Sequence, residues 1–229
     1  MSSPRPFSTA ELAAAGIAVV VVLAIAGLWR STSVDFTPYF GRLNPIAASF
    51  SICVLGVMTL AFLQARYAIR IVDTQLPARY RVAAALAAVP FMVSVTWADL
   101  TLRFPPDINV DLPLALVFYP AMGLIAQLAL HVVPFALLLS ILSRRCASHS
   151  LESRVWAAII PVACLEAAFQ AFAPASGDLQ ALRIFVTAQL FLFGLVELYV
   201  YWRFDFSSMV IFRLSYYAYW HVLWAAVRA

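Results

Sequence analysis

The sequence has no lysine and little charge of either sign. All 15 basic residues are arginine, and charged residues make up 11% of the 229-residue chain, whereas about a quarter of the residues in a soluble domain are charged. Hydrophobic residues make up 64%, and the mean hydropathy is +0.91. These values exclude an ordinary soluble domain and predict a polytopic integral membrane protein in a lipid bilayer. Outside the apolar runs no basic stripe is interleaved with aromatic residues, so no nucleic-acid partner is expected.

Cysteine is scarce as well, with three in the whole chain. Cys53 and Cys164 fall inside apolar runs, Cys146 follows two arginines, and no pair has CxxC spacing. This pattern argues against a disulfide framework and against a cysteine-based metal site. It leaves other metal ligands open.

Seven apolar segments predict an all-α bundle of about seven transmembrane helices, forming a single domain over residues 1–229. They cover residues 11–29, 46–65, 82–102, 113–142, 155–173, 184–202 and 209–227. Most approach the ~20 residues that cross about 30 Å of hydrocarbon. Pro120 and Pro134 predict that the long fourth segment is kinked, tilted or partly interfacial. The first segment has Glu11 just ahead of its apolar run and is interpreted as a retained helix rather than a cleaved signal peptide.

The arginines between the segments predict the orientation of the bundle. The N-terminal tail and the loops after spans 2, 4 and 6 carry Arg5, Arg66, Arg70, Arg79, Arg81, Arg144, Arg145, Arg154 and Arg203. The opposite side carries Arg30, Arg42, Arg103, Arg183 and Arg228, together with Asp35, Asp107, Asp111 and Asp178. Because cytoplasmic loops are enriched in arginine, we expect a cytoplasmic N-terminus and an external C-terminus in an inner or cell membrane.

Ionisable side chains inside the spans are candidate functional residues, because charges in hydrocarbon are costly and face a bundle interior or a cavity. Glu166, His221 and His131 lie eleven or twelve residues from the cytoplasmic ends of spans 5, 7 and 4, a depth of about 17 Å. Three amides fall near the same level: Gln127, Gln170 and Gln189. Asp99 lies close to the end of span 3 and is expected to reach water.

Glu197 and Arg213 form a second level, nearer the cytoplasmic side. Only the six-residue segment "RFDFSS" joins their two spans, so we expect the two residues to be neighbours and to form an ion pair. Snorkelling of Arg213 to the lipid headgroups is the alternative. Arg213, Tyr217 and His221 recur every four residues and share one stripe of span 7. Such a stripe fits either a functional site or a polar seam between helices.

The residue types at the deeper level are compatible with several chemistries. Two imidazoles and a carboxylate could bind zinc or iron. They could instead activate a water, with glutamate as general base and histidine facing an oxyanion. They could relay protons, or the two histidines could ligate a haem iron. Their spacing does not choose among these.

The last third of the chain, roughly residues 155–225, resembles the core of the CAAX protease and bacteriocin-processing (Abi) family of intramembrane glutamic proteases. "LEAAFQ" resembles the family's Glu-Glu-x-x-x-Arg motif, "FVTAQ" its Phe-x-x-x-His motif, and "HVLWA" its final His-x-x-x-Asn/Asp motif. Glu166, Phe185 and His221 match. The departures are Leu165 for the first Glu, Gln170 for the Arg, Gln189 for the His and Ala225 for the Asn/Asp.

The resemblance implies an intramembrane peptidase acting on a membrane-embedded or prenylated peptide. In it Glu166 activates water, His221 and His131 stabilise the oxyanion or hold a metal, and Glu197 with Arg213 braces the last hairpin. His131 would replace the missing motif histidine. Two other functions stay open: a non-catalytic scaffold or assembly subunit with a membrane-protein partner, and a cofactor-binding subunit using His131 and His221.

The arginine distribution makes a labelling prediction. In a variant without native cysteines, Arg79→Cys and Arg145→Cys should resist an impermeant thiol label added outside intact cells, because both loops are expected in the cytoplasm. Arg42→Cys on the opposite side serves as the control and should react. Labelling at positions 79 and 145 would show that the orientation is inverted.

Overall fold

The computed structural model describes residues 8–32, 34–105, 109–146, 148–171 and 180–228, except for the side chain of Gln170. Within these ranges the secondary structure is helical, without strands. Arg5, Asp107 and Asp178, which entered the orientation argument, lie outside the described residues. The expected all-α fold is confirmed.

The helices follow the predicted segments closely. They are α1 (Thr9–Ser31), α2 (Thr37–Phe40), α3 (Pro45–Tyr67), α4 (Ala78–Leu86), α5 (Val89–Leu102), α6 (Ala115–Ala126), α7 (Val133–Arg145), α8 (Leu151–Ala171), α9 (Gln180–Arg203), α10 (Phe206–Tyr217) and α11 (Ala225–Arg228). Two π-helical segments, Gln127–Val132 and Ala218–Trp224, join α6 to α7 and α10 to α11. The predicted irregularity of the fourth span is therefore a π-helical segment, with Pro134 two residues beyond its end.

Five described helical stretches are long and apolar enough to cross a membrane: Thr9–Ser31, Pro45–Tyr67, Ala78–Leu102, Ala115–Arg145 and Gln180–Arg203. Their outer faces carry exposed large apolar side chains, such as Val20, Leu55 and Leu192. Such faces are typical of a membrane protein. The described residues of segments 155–173 and 209–227, namely 155–171 and 209–227, are helical but are not among the five, so the expected number of seven is not confirmed.

Local sequence signals set several helix ends. Ser8 and Glu11 form a capping box: the Glu11 amide donates to Ser8 Oγ, and the Ser8 amide donates to Glu11 Oε2 at 2.6 Å. Asn44 caps α3 ahead of Pro45, and Asp205 caps α10 by accepting from the Ser208 amide. Glu11 therefore stands before the first apolar run as a capping residue.

Loops at each end of the bundle meet as the alternating topology requires. The Asp73 amide donates to Asp205 Oδ2, and the Phe206 amide donates to the Arg70 carbonyl. The loop after α3 and the hairpin between α9 and α10 thus share one end, which agrees with their common assignment in the sequence. Helices α9 and α10 pack against each other, as the short hairpin predicted.

Asp99 lies beside a surface pocket and is 6% exposed, so its expected contact with water stays a prediction. Its side chain is buried and accepts hydrogen bonds from the Phe104 amide and Trp224 Nε1, at 3.0 and 2.8 Å. Arg228 Nε lies 3.3 Å from the same carboxylate. The chain after α5 and the C-terminal helix fold over the end of α5, which span length alone could not indicate.

The contact between α3 and the first π-helical segment makes a packing prediction. A methyl group at Gly56 would lie 2.8 Å from both terminal methyl carbons of Leu128 and 2.9 Å from its Cβ. Gly56→Ala should therefore lower the free energy of unfolding by about 1–3 kcal/mol. Gly27→Ala in α1 is the control: an added Cβ meets no heavy atom within 4 Å. Equal stabilities of the two variants in detergent unfolding would contradict the close contact.

Candidate functional site

A buried guanidinium lies at the centre of the candidate site. Arg213, in α10, is 1% exposed and binds the carboxylates of Glu166 and Glu197. Nε and Nη2 donate to Glu197 Oε1 and Oε2 at 2.7 and 2.6 Å, and Nη1 and Nη2 donate to Glu166 Oε1 and Oε2 at 3.0 and 2.7 Å. All four carboxylate oxygens thus accept from Arg213. The predicted Glu197–Arg213 pair is confirmed, and snorkelling of Arg213 to the headgroups is wrong.

Glu166 binds the same guanidinium, so side chains from the two predicted levels meet in one cluster. A planar guanidinium offers five donors in a fork, and Arg213 uses that fork to join α8, α9 and α10. Counting residues along straight helices estimates the depth of the backbone. It includes neither the length of the Arg213 side chain nor the local geometry of the π-helical segments. Gln127 extends the cluster: its Nε2 donates to Glu197 Oε1 at 2.7 Å and to the Met209 carbonyl at 3.1 Å.

His131 meets this cluster from the first π-helical segment. Its side chain is fully buried, and Nε2 lies 3.5 Å from Glu166 Oε2 and 3.6 Å from Glu197 Oε2. Among the described residues, neither ring nitrogen has a hydrogen-bond partner. Most buried polar atoms have a partner, so His131 is an exception inside a charged site. We call Gln127, His131, Glu166, Glu197 and Arg213 the charged cluster.

Helix packing leaves the space that the His131 ring occupies. An added Cβ at Gly194 in α9 would lie 3.3 Å from His131 Nε2 and 3.3 Å from Ala163 Cα in α8. The absence of a side chain therefore lets α8 and α9 approach each other beside the imidazole. Because the π-helical segment that carries His131 also carries Gln127, the two side chains enter the cluster together. Such segments are frequent at functional sites.

Three members of the charged cluster have the chemistry and position to hold a metal ion. One nitrogen of His131 and one oxygen each of Glu166 and Glu197 lie within 4.8 Å of one another, and all three side chains are buried. The expected grouping of Glu166 with His131 is therefore present in the fold. Glu197 joins them, although the sequence argument assigned it to the other level.

His221 occupies a different environment, in the second π-helical segment. Its Nδ1 pairs with Asn109 Oδ1 at 2.6 Å, and its ring stacks on Tyr119 with 3.8 Å between ring centroids. Among the described residues, no hydrogen bond or ion pair within 4.0 Å joins His221 to Glu166. The joint use of Glu166 and His221 in one site, which the family resemblance implies, stays a prediction.

Tyr217 connects the two environments. Its hydroxyl accepts from Arg213 Nη1 at 3.0 Å, and its ring meets His221 edge to face at 4.9 Å between centroids. The predicted stripe of Arg213, Tyr217 and His221 is thus a series of direct contacts. It leads from the charged cluster to the loop that carries Asn109.

The predicted amides separate into different parts of the bundle. Gln189 is in α9, and its side chain contacts α5 and α10. Its Oε1 accepts from Ser94 Oγ at 2.7 Å, and its Nε2 donates to the Tyr216 hydroxyl at 3.1 Å. The side chain of Gln170 lies outside the described residues. Of the three amides, Gln127 is the one whose described contacts place it in the charged cluster.

Sequence reasoning missed Asn109, Tyr119 and Gly194. Asn109 lies in the segment between two predicted spans and Tyr119 close to the start of one, so neither was considered at the depth of His221. Gly194 is the single glycine in α9, which was the available signal that a neighbouring group approaches closely.

Comparison with known proteins adds no match. No protein-family model, curated protein or solved structure matches the chain.

Charge pairing in the cluster makes a stability prediction. Arg213→Met should cost about 3–5 kcal/mol, because it leaves two carboxylates buried without their cation. Glu197→Gln should cost less, since Glu166 stays paired with Arg213. The double variant should be more stable than Arg213→Met alone, because one carboxylate rather than two then lacks its partner.

Unfolding in detergent measures this double-mutant cycle. Glu152→Gln, at an exposed position of α8, is the control and should leave stability nearly unchanged. Additive losses for Arg213→Met and Glu197→Gln would contradict an energetic coupling between the two residues.

Proposed function

We propose that this chain is an intramembrane peptidase, divergent from the CAAX protease and bacteriocin-processing family, that activates a water between Glu166 and His131. The observation that carries the proposal is the unpartnered imidazole of His131, fully buried and 3.5 Å from Glu166 Oε2. Leaving a buried polar group without a hydrogen bond costs about 1–3 kcal/mol. A function that needs a free imidazole nitrogen beside a carboxylate explains why such an arrangement persists.

Glu166 is better suited to the chemistry than Glu197. The Glu197 carboxylate accepts three hydrogen bonds, two from Arg213 and one from Gln127. The Glu166 carboxylate accepts two, both from Arg213, and it is 6% exposed while Glu197 is fully buried. Since a carboxylate offers about four lone-pair sites, Glu166 keeps more capacity for a water. Glu197 then serves to hold Arg213.

The proposed step transfers one proton. Glu166 accepts a proton from the water while the water oxygen forms a bond to the carbonyl carbon of the peptide. As the bond between carbon and nitrogen breaks, the proton passes from Glu166 to the departing amine. Acting without a metal ion, His131 donates from Nε2–H to the oxyanion. His221 acts indirectly in this proposal, by positioning Tyr217 against Arg213.

The substrate class comes from the surroundings of the cluster and from the family resemblance. The outer surface of the bundle is apolar over long stretches, so a peptide that reaches the cluster from the bilayer must itself be apolar. A membrane-embedded or prenylated peptide meets this requirement. We place the protein in the inner or cell membrane with a cytoplasmic N-terminus, on the arginine distribution.

Cleavage in proteoliposomes tests this function. With a quenched fluorescent peptide, either membrane-embedded or prenylated, Glu166→Gln should reduce the rate of cleavage about 100-fold or more, because the amide cannot accept the proton. Glu152→Gln is the matched control: it makes the same chemical change at an exposed position of the same helix. If wild type and Glu166→Gln cleave neither class of peptide, or cleave them equally, the peptidase proposal is wrong.

A non-catalytic scaffold is the second candidate, favoured by the pairing of both carboxylates with one guanidinium. Arg213 binds every carboxylate oxygen of Glu166 and Glu197, as expected for a structural clasp of three helices. Two surface pockets, of about 550 and 830 Å³, include no residue of the charged cluster. For a scaffold, Arg213→Met would destabilise the fold while no variant would alter a cleavage rate.

A further inference from the structure

We propose that His131, Glu166 and Glu197 together bind one divalent transition-metal ion of the zinc class. The inference rests on the hydrolytic role proposed for the same cluster and names the cofactor of that role. Its evidence is the position of the three side chains, and metal binding can be measured without any substrate.

The first observation is the orientation of His131. Its Nε2 faces both carboxylates, and neither ring nitrogen has a hydrogen-bond partner in the part of the chain that the structure describes. A neutral imidazole nitrogen with a free lone pair is a common metal ligand. Here the nitrogen is fully buried and faces two anionic oxygens, which are the other ligand type in mixed zinc sites. His131 Nε2 is therefore a potential metal ligand that faces two anionic oxygens.

The second observation is the spacing of the ligand atoms. For zinc bonds of about 2.0–2.2 Å, neighbouring ligands of a tetrahedral site lie about 3.4 Å apart. His131 Nε2 lies 3.5 Å from Glu166 Oε2 and 3.6 Å from Glu197 Oε2. These distances are too long for ordinary hydrogen bonds and close to the tetrahedral edge. Small shifts of the side chains would complete a three-ligand site with one open position.

Arg213 is compatible with this site. Its Nη2 donates to Glu166 Oε2 and Glu197 Oε2 at 2.7 and 2.6 Å. A carboxylate oxygen has two lone pairs, so each can accept from Arg213 with one and ligate an ion with the other. Groups that hydrogen-bond to metal ligands in this way orient them and tune the ion.

The charges also favour an ion carrying a hydroxide. With neutral His131, the two carboxylates outnumber the Arg213 guanidinium by one negative charge. A divalent ion changes this sum to one positive charge, and a hydroxide on the open position brings it to zero. A zinc ion held there would supply an activated water, because zinc lowers the pKa of a bound water to near neutral. Glu166 would then hold the ion instead of accepting the proton from the water.

Calorimetric titration of the purified full-length chain with zinc chloride tests the proposal. We expect about one ion per chain, and loss of that binding in His131→Ala. The matched control is His149→Ala, which removes an exposed histidine and should bind zinc like the wild type. Unchanged binding in His131→Ala, loss in His149→Ala, or no binding to the wild type would overturn the proposal.

A measurement on the wild type covers the case in which His131→Ala does not fold. Cobalt(II) bound in the proposed site should give the intense visible absorption of a four-coordinate ion, because geometry is diagnostic of the ligand set. The weak absorption of six-coordinate, hydrated cobalt would overturn the site.

Chelation separates this inference from the peptidase proposal. Zinc binding that depends on His131, without cleavage of either peptide, leaves the metal site standing and removes the peptidase. If cleavage depends on Glu166 but persists after treatment with 1,10-phenanthroline, in protein that binds no zinc, the peptidase stands and the metal site is removed. Cleavage that is lost on chelation and restored by zinc supports both.

Discussion

A buried cation in an apolar helical bundle needs neighbouring anions, and in this protein the cation is Arg213. Transfer of a single unpaired charge from water into the interior costs several kcal/mol or more, so the chain must bring carboxylates to the guanidinium as it folds. Glu166 arrives on α8 and Glu197 on α9, and together they accept at every one of their four oxygens. The relative placement of α8, α9 and α10 is therefore tied to one side chain.

The remainder of the site follows from how the neighbouring backbone adjusts to that cluster. The first π-helical segment brings Gln127 and His131 into it, and Gly194 leaves room for the imidazole beside α9. The second π-helical segment places His221 on Tyr119 and Asn109. Tyr217 touches both environments. Among the described residues, His131 thus has no hydrogen-bond partner although it lies in a charged interior, whereas His221 pairs with Asn109.

That difference is the basis for assigning chemistry to one histidine before the other. A folded protein normally satisfies its buried polar atoms, and an exception is informative when it lies next to other reactive groups. His131 meets this condition because Glu166 and Glu197 face its Nε2. A catalytic water and a metal ion would both contact His131 Nε2. The peptidase proposal and the zinc proposal therefore rest on the same observation, the position of this nitrogen beside Glu166 and Glu197.

The sequence by itself determined the helical class, the positions of the helices and the presence of polar groups within apolar segments, because each depends on composition and local periodicity. It also indicated the Glu197–Arg213 pair, since a short hairpin forces adjacent spans together. Only the tertiary structure decided that Glu166 shares that guanidinium, that His131 rather than His221 faces the carboxylates, and that Asp99 is covered by the C-terminal helix. Those outcomes depend on helix rotation, on π-helical geometry and on contacts of long side chains between distant segments. Counting residues along one helix gives no information on any of these.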